Sequence, residues 1–182
     1  GNVAIAREVT VEDVSVAASV KVGTDLSLSG EVRYYTAEGD QLGRGPLPPE
    51  VGKETKYAAL FTIRNTTSNV TDGVFTARLA PGIEWTGKTS VTQGSAPTYT
   101  PSTRTVRWSL GTIPAHANAG LFFELSLTPT EGDRGTVPDM ITGAEVTGSD
   151  SYLGYSLVRT SGLLDGSLKT DTKGSAKGST VR

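Results

Sequence analysis

The strongest constraint on the fold of this sequence is a two-residue hydrophobic alternation that returns run after run. In Leu26-Ser-Leu28-Ser-Gly-Glu-Val32-Arg-Tyr34 the apolar side chains take even positions. In Tyr57-Ala-Ala59-Leu-Phe61-Thr-Ile63-Arg they take odd ones, as in Phe75-Thr-Ala77-Arg-Leu79. Val106-Arg-Trp108-Ser-Leu110 and Leu121-Phe-Phe123-Glu-Leu125-Ser-Leu127 repeat the pattern. Period two places one face of a strand on a core and the other in water. Turn signals part the runs: Glu38-Gly-Asp40, Pro81-Gly82, Pro101-Ser-Thr103, Gly111-Thr112 and the long Pro129 to Pro138 loop. Short strands so punctuated predict an all-β sandwich. No stretch keeps apolar residues at helical spacing for three turns, so no helix longer than a turn or two is expected.

Composition then removes whole classes of function. The chain has 182 residues, no Cys and one His. That length supports one domain with a core of its own, without disulfide or metal staples. Thiolate zinc sites, cysteine nucleophiles and multi-histidine metal sites are excluded. Lys+Arg 17 against Asp+Glu 19 leaves a net charge of -2, which disfavours a nucleic-acid partner. No apolar run approaches the ~20 residues of a membrane-spanning helix, so no membrane insertion is expected. The sequence opens on Gly1, so a processed chain or a fragment is expected, with any export signal or anchor already missing.

The two ends differ from the middle. Residues 1–22 carry Val3, Ile5, Val9, Val11, Val14, Val16, Val20 and Val22, and the only Gly there is Gly1. The phase slips at Glu12-Asp13, as a bulge requires. This predicts an extended N-terminal β arm that could reach ~60 Å at ~3.3 Å per residue. Residues 162–182 are rich in Gly, Ser, Lys and Thr. Lys169, Lys173 and Lys177 recur every four residues, but Gly174, Ser175 and Gly178 argue against a helix. Composition predicts a disordered tail. The domain between them is expected to span 23–161.

Part of that domain resembles a known group. Thr55-Lys-Tyr57, Phe61-Thr-Ile63-Arg-Asn65-Thr66, Val74, Leu79-Ala-Pro81-Gly82, Trp108-Ser-Leu110-Gly111-Thr-Ile113 and the run Leu121 to Leu127 are similar to the Ig-like "conserved repeat" modules of bacterial and archaeal cell-surface proteins. The resemblance covers about residues 50–130 and one copy of the module. It implies an Ig-like β-sandwich on a cell surface and no catalytic residues. In that pattern Asn65 ends a strand, Leu79 plugs the core, Trp108 faces it and Gly111 permits a tight exit. Gly45-Pro-Leu-Pro-Pro49 also resembles surface proteins of small bacterial lineages.

Candidate chemistry is sparse. His116 sits in a small-residue loop with neither a nucleophile nor a carboxylate signalled beside it, so a surface-loop reading is favoured over a general base. Glu8, Glu12, Asp13, Glu38, Asp40, Asp150 and Asp165 offer oxygen ligands for calcium, but none lies in an Asp-rich loop with its terminal Glu. Trp85 and Tyr99 could form a carbohydrate platform; a half-exposed strand end is the plainer reading. Asn65-Thr-Thr67 and Asn69-Val-Thr71 fit the glycosylation acceptor pattern. Lys53 or Lys56 with Asp150 would be needed for an isopeptide cross-link, but the phase of Lys56 opposes Tyr57 and sends it to solvent.

The arm carries the sharpest functional expectation. An extended segment can add to an open sheet edge in another chain, its alternate side chains filling a groove. Exchange in one direction builds an open filament. The expected function is thus a structural, extracellular subunit that assembles head-to-tail with itself through Val3, Ile5, Val9, Val11, Val14 and Val16. The alternatives are a spacer or adhesive module that packs on a neighbouring Ig-like module, and a surface glycan hydrolase. No cofactor and no catalytic residue are expected.

Overall fold

The computed structural model describes residues 23–182. The predicted arm, and with it Val3, Ile5, Val9, Val11, Val14 and Val16, lies outside the described residues. Ten strands follow in chain order: β1 Leu26–Arg33, β2 Thr55–Asn65, β3 Val70–Leu79, β4 Ile83–Val91, β5 Thr98–Thr100, β6 Thr105–Ile113, β7 Asn118–Leu127, β8 Asp139–Asp150, β9 Ser156–Ser161 and β10 Leu164–Asp165. A 3-10 turn, Glu131–Asp133, and one short helix, α1 Thr172–Lys177, complete them.

The strands form two antiparallel sheets, which makes the molecule the all-β sandwich that the alternation predicts. Sheet A has the order β1-β2-β7-β4, and sheet B the order β10-β8-β3-β6-β5 with β9 also on β8. Connections β2–β3, β3–β4, β4–β5, β6–β7 and β7–β8 each cross from one sheet to the other, so the two sheets are interleaved along the chain. The period-two faces meet between the sheets. Phe61 of sheet A lies 4.8 Å from Phe75 of sheet B and 6.0 Å from Phe123, ring centre to ring centre. Phe75 in turn meets Trp108 edge-on at 6.2 Å. Every expected core residue is buried except Leu28, which is half-buried. Rings and aliphatic side chains of this size contribute ~1.5–3 kcal/mol each on burial.

The chain leaves and enters the sandwich at opposite poles. The Asn65 end of β2 holds the entry: the Thr67 hydroxyl donates to the Gly23 carbonyl. The Thr55 end holds the C-terminus: Val51 N–H donates to the Arg182 carbonyl, and Arg182 N–H to that of Pro49.

Two sequence expectations need correction. Gly111 does not end a strand. β6 continues through it to Ile113, with Gly111 at φ 68 opposite Gly73, where the register shifts. The glycine serves a β-bulge, which needs the same left-handed backbone as a turn. The second correction concerns residues 162–182, which are not a disordered tail. Leu168, Asp171 and Val181 are buried, and β10 pairs with β8. The polar composition hid a few well-placed anchors. Lys169, Lys173 and Lys177 stay on the surface around them. The helix expected to be absent forms for six residues because Asp171 caps it: its carboxylate accepts the Gly174 N–H at 2.8 Å. The body of the domain therefore runs past residue 161 to 182.

Candidate strand-binding edge

The sandwich has two flanks, and they are finished differently. On the flank of β4 and β5 the sheets are stitched together. Trp85 of β4 stacks on Tyr99 of β5 at 5.5 Å and 16°, and lies 5.3 Å from Phe123. Residues 92–95 then cross between the sheets. Thr92 N–H donates to Gly120 C=O on β7, and Ser95 N–H to Ser109 C=O on β6. The Gln93 amide donates to the Leu110 and Thr112 carbonyls, both at 3.0 Å, and Trp108 Nε1 to the Gln93 carbonyl at 3.1 Å. Gly94 is required there: at φ 75, a Cβ would lie 2.2 Å from the Ser109 oxygen. Trp85 and Tyr99 are thus a clasp between two sheet edges, their faces turned to each other and to the core rather than to a sugar.

On the opposite flank, β1 is the edge of sheet A, and its register tells which backbone groups face outward. Asn65 N–H donates to Ala117 C=O, so odd residues of β2 point at β7 and even ones at β1. Leu60 pairs with Glu31 and Thr62 with Ser29, so the odd residues of β1 bond β2. Leu26, Leu28, Gly30, Val32 and Tyr34 turn their N–H and C=O groups away from the sheet. Tyr34 confirms the phase, since its N–H reaches Asp171 and its C=O accepts from Leu42 and Gly43.

Among the described residues, Asp171 caps one end of this edge, an ion pair stands at the other, and no strand lies beside the middle. At the far end Asp171 Oδ2 accepts the N–H groups of Tyr34 and Tyr35 at 2.7 and 2.8 Å. Thr170 adds a hydrogen bond from its hydroxyl to Glu31, and its carbonyl accepts from Arg33. At the near end Arg159 of β9 pairs with Asp25. Between these clamps no described residue bonds the outward groups of Leu28, Gly30 and Val32. A cavity of about 190 Å³ lies there, with Gly30, Glu31 and Val32 on one wall. Leu163, Leu164, Asp165, Ser167 and Leu168 form the other. Leu163 is 54% exposed on its rim. Edge amides that no described residue pairs, beside a trough walled partly by leucines, are the two features a strand-addition site needs.

The root of the arm is fixed beside this groove by a polar knot. Asp150, at the end of β8, is buried and accepts four donors: N–H of Thr24 (2.8 Å), Tyr152 (2.7 Å) and Leu153 (3.0 Å), and the Ser68 hydroxyl (3.2 Å). Burial opposes its charge, but those hydrogen bonds, led by Leu153 and Thr24, outweigh it and hold the carboxyl below its ordinary range. Asn65 is the second hub. Its amide nitrogen donates to the carbonyls of Ser68, Ile113 and Pro114, and its oxygen accepts the Thr24 hydroxyl. Asn65 is therefore buried in structure and not an accessible acceptor for a glycan. Asp25 and Thr66 exchange bonds that continue the β1–β2 ladder one step further.

The other singled-out residues do not come together. His116 is exposed, at φ 63, and its N–H bonds the Thr66 carbonyl. Glu38 and Asp40 are exposed in a turn, and Asp165 binds the Ser167 N–H and hydroxyl. Among the described residues no three His, Cys, Asp or Glu side chains converge as a metal site. Lys56 stands between Glu54 and Glu124, each 3.9 Å away, near the pole opposite Asp150. No helix among the described residues is long and apolar enough to cross a membrane. Leu163, Leu164, Leu168 and Asp171, which build the second wall and the far clamp, carried a readable signal: leucines in an otherwise polar tail, with an N-cap residue after them.

Neither a family model nor a curated protein matches the sequence. Solved structures match it in part, at low identity. The major pilin subunit BcpA of Bacillus cereus is 11% identical, over 78% of this chain and 40% of its own, with a TM-score of 0.49. The full-length major pilin SpaD of Corynebacterium diphtheriae is 12% identical, over 77% and 35%, with a TM-score of 0.48. The three N-terminal domains of the type V pili tip protein Mfa5 of Porphyromonas gingivalis give 17%, 57% and 22%, with a TM-score of 0.44. This chain spans less than half the length of each. The likeness carries no inference about function or assembly.

Proposed function

We propose that this chain is a structural cell-surface subunit that assembles by β-strand addition, the edge of β1 accepting an extended segment from a neighbouring copy. The observation that supports this is the contrast between the flanks. One is sealed by an aromatic clasp and a crossing loop. On the other, no described residue bonds the outward groups of Leu28, Gly30 and Val32, and a cavity walled partly by leucines lies against Gly30 and Val32. Proteins ordinarily blunt such an edge with charge, proline or a covering element. The placement of Gly23 and Arg182 at opposite poles supports a head-to-tail direction, which builds an open filament rather than a closed dimer. The resemblance of residues 50–130 to cell-surface modules supports the location. The same opposite poles also favour a second reading, an in-line spacer module in a longer surface protein.

Mass and shape in solution separate the two. The intact chain is compared with one lacking residues 1–22. Long polymers from the first and folded monomers from the second are the expected result. Compact monomers from both would remove strand addition and leave the spacer. A truncated chain that unfolds without the intact one having polymerised would assign the arm to its own core.

A further inference from the structure

We infer that the segment this edge accepts is Val14–Val22 of a neighbouring copy, and that successive subunits along the assembly repeat every ~36 Å. The inference rests on the strand-addition reading and adds which part of the arm docks, from which chain, and at what spacing.

Length and charge select the segment. The open part of the edge runs from Leu26 to Val32, between the Arg159–Asp25 pair and the Asp171 cap. An added strand has room for about seven to nine residues before it meets a clamp. Within the arm, Val14-Ser-Val16-Ala-Ala18-Ser-Val20-Lys-Val22 keeps the even phase wholly apolar for nine positions. Its one charge, Lys21, falls on the other phase. The upstream block, Val3 to Val11, puts Arg7 on its apolar phase, so Val14 to Val22 is the longer uninterrupted apolar face. The trough is small, about 190 Å³, and suits Val and Ala rather than rings. Its rim holds Glu31 and Asp165 against one Lys169, so Lys21 meets a mostly acidic lip.

The root of the arm decides between its own groove and a neighbour's. Gly23, Thr24 and Asp25 are held by Thr67, Asn65, Asp150 and Thr66, and Thr66 carries the β1–β2 ladder one step past Leu26. A hairpin cannot form within residues 23–25. A reversal just before them needs about two residues and would bring roughly residues 11–17 alongside Leu26–Val32. Glu12 and Asp13 would then lie against the acidic rim. Only a neighbour's groove takes Val14–Val22 whole. Ala18, its midpoint, precedes Ser29, the midpoint of the open edge, by about eleven residues, which is ~36 Å of extended chain.

The test uses the full chain and three variants in the arm, Ile5→Asp, Val16→Asp and Val20→Asp, all outside the described sandwich. Thermal melts check that each retains the fold. Assembly is read by sedimentation, and spacing by electron microscopy of the polymers. The expected result is loss of polymer, more than tenfold, for Val16→Asp and Val20→Asp, wild-type polymer for Ile5→Asp, and an axial repeat near 36 Å. Loss with Ile5→Asp, alone or with the others, or wild-type polymer from all three, would overturn the choice of segment. So would a repeat near twice that length. In those cases strand addition itself stands or falls by the arm deletion. If the wild-type chain never assembles, the reading beneath this inference is the one that fails.

Discussion

Replacing Asp171 by alanine should cost the domain more than any surface substitution, because one carboxylate there serves two segments. Its side chain is fully buried. Oδ2 takes the N–H groups of Tyr34 and Tyr35, and Oδ1 takes that of Gly174, the last at 2.8 Å. Alanine strands two buried donors at the end of β1, at ~1–3 kcal/mol each. It also removes the N-cap of α1, at ~1 kcal/mol. The total is about 3–7 kcal/mol, which for a domain of this size lowers Tm by about 6–28 °C. Asparagine is the control. With its oxygen on the tyrosine amides it keeps those bonds and loses only the Gly174 contact, so it should cost ~1–2 kcal/mol. Calorimetry on the three proteins gives the order, and hydrogen exchange at Tyr34 and Tyr35 gives the site. Alanine and asparagine variants of equal stability, or an alanine variant within ~3 °C of wild type, would refute the capping argument.

Three further outcomes are expected. Leu163→Glu lies on an exposed rim, so unfolding free energy should change by less than ~0.5 kcal/mol while polymer mass collapses; assembly unchanged would mean the trough is not the contact. Gly30→Ala should destabilise by ~1–3 kcal/mol in urea, because its Cβ would lie 2.4 Å from Phe61 Cε1; a neutral result would show that the Phe61 ring has room to move. Asp150 has a depressed folded-state pKa, so its contribution is complete above the unfolded value of about 3.9. It is lost as pH falls through the folded value. The wild type should therefore lose stability below about pH 4 by a component that Asp150→Asn lacks, and parallel Tm curves for the two would contradict this.

The sheets were legible because half-buried strands record their environment residue by residue. Val106, Trp108 and Leu110 face the core and are buried, while Arg107 and Ser109 between them are exposed. The same signal failed at Gly111, since a bulge and a turn ask for the same residue and only pairing across to Gly73 distinguishes them. It failed again over residues 162–182. Three buried side chains among many polar ones fix that segment, and no average over a window detects Leu168, Asp171 and Val181. The hub role of Asn65 was half-visible. Its place at a strand end was readable, but its three carbonyl partners come from Ser68 and from Ile113 and Pro114, nearly fifty residues later.

The open edge could not be read from the sequence at all, and the reason is physical. Whether a strand is central or at an edge depends on what other segments do, not on its own pattern. β1 alternates as cleanly as β2, yet among the described residues β2 has a strand on each side and β1 has one. What makes the β1 edge a candidate site is its incomplete closure. Asp171 shows that this chain can cap outward amides when it folds, and the Trp85–Tyr99 clasp shows that it can seal a flank. Leaving Leu28, Gly30 and Val32 between two such closures exposes the backbone to adventitious pairing. That edge, and an upstream segment whose valines alternate in the same period, are the two observations on which the proposed β-contact rests.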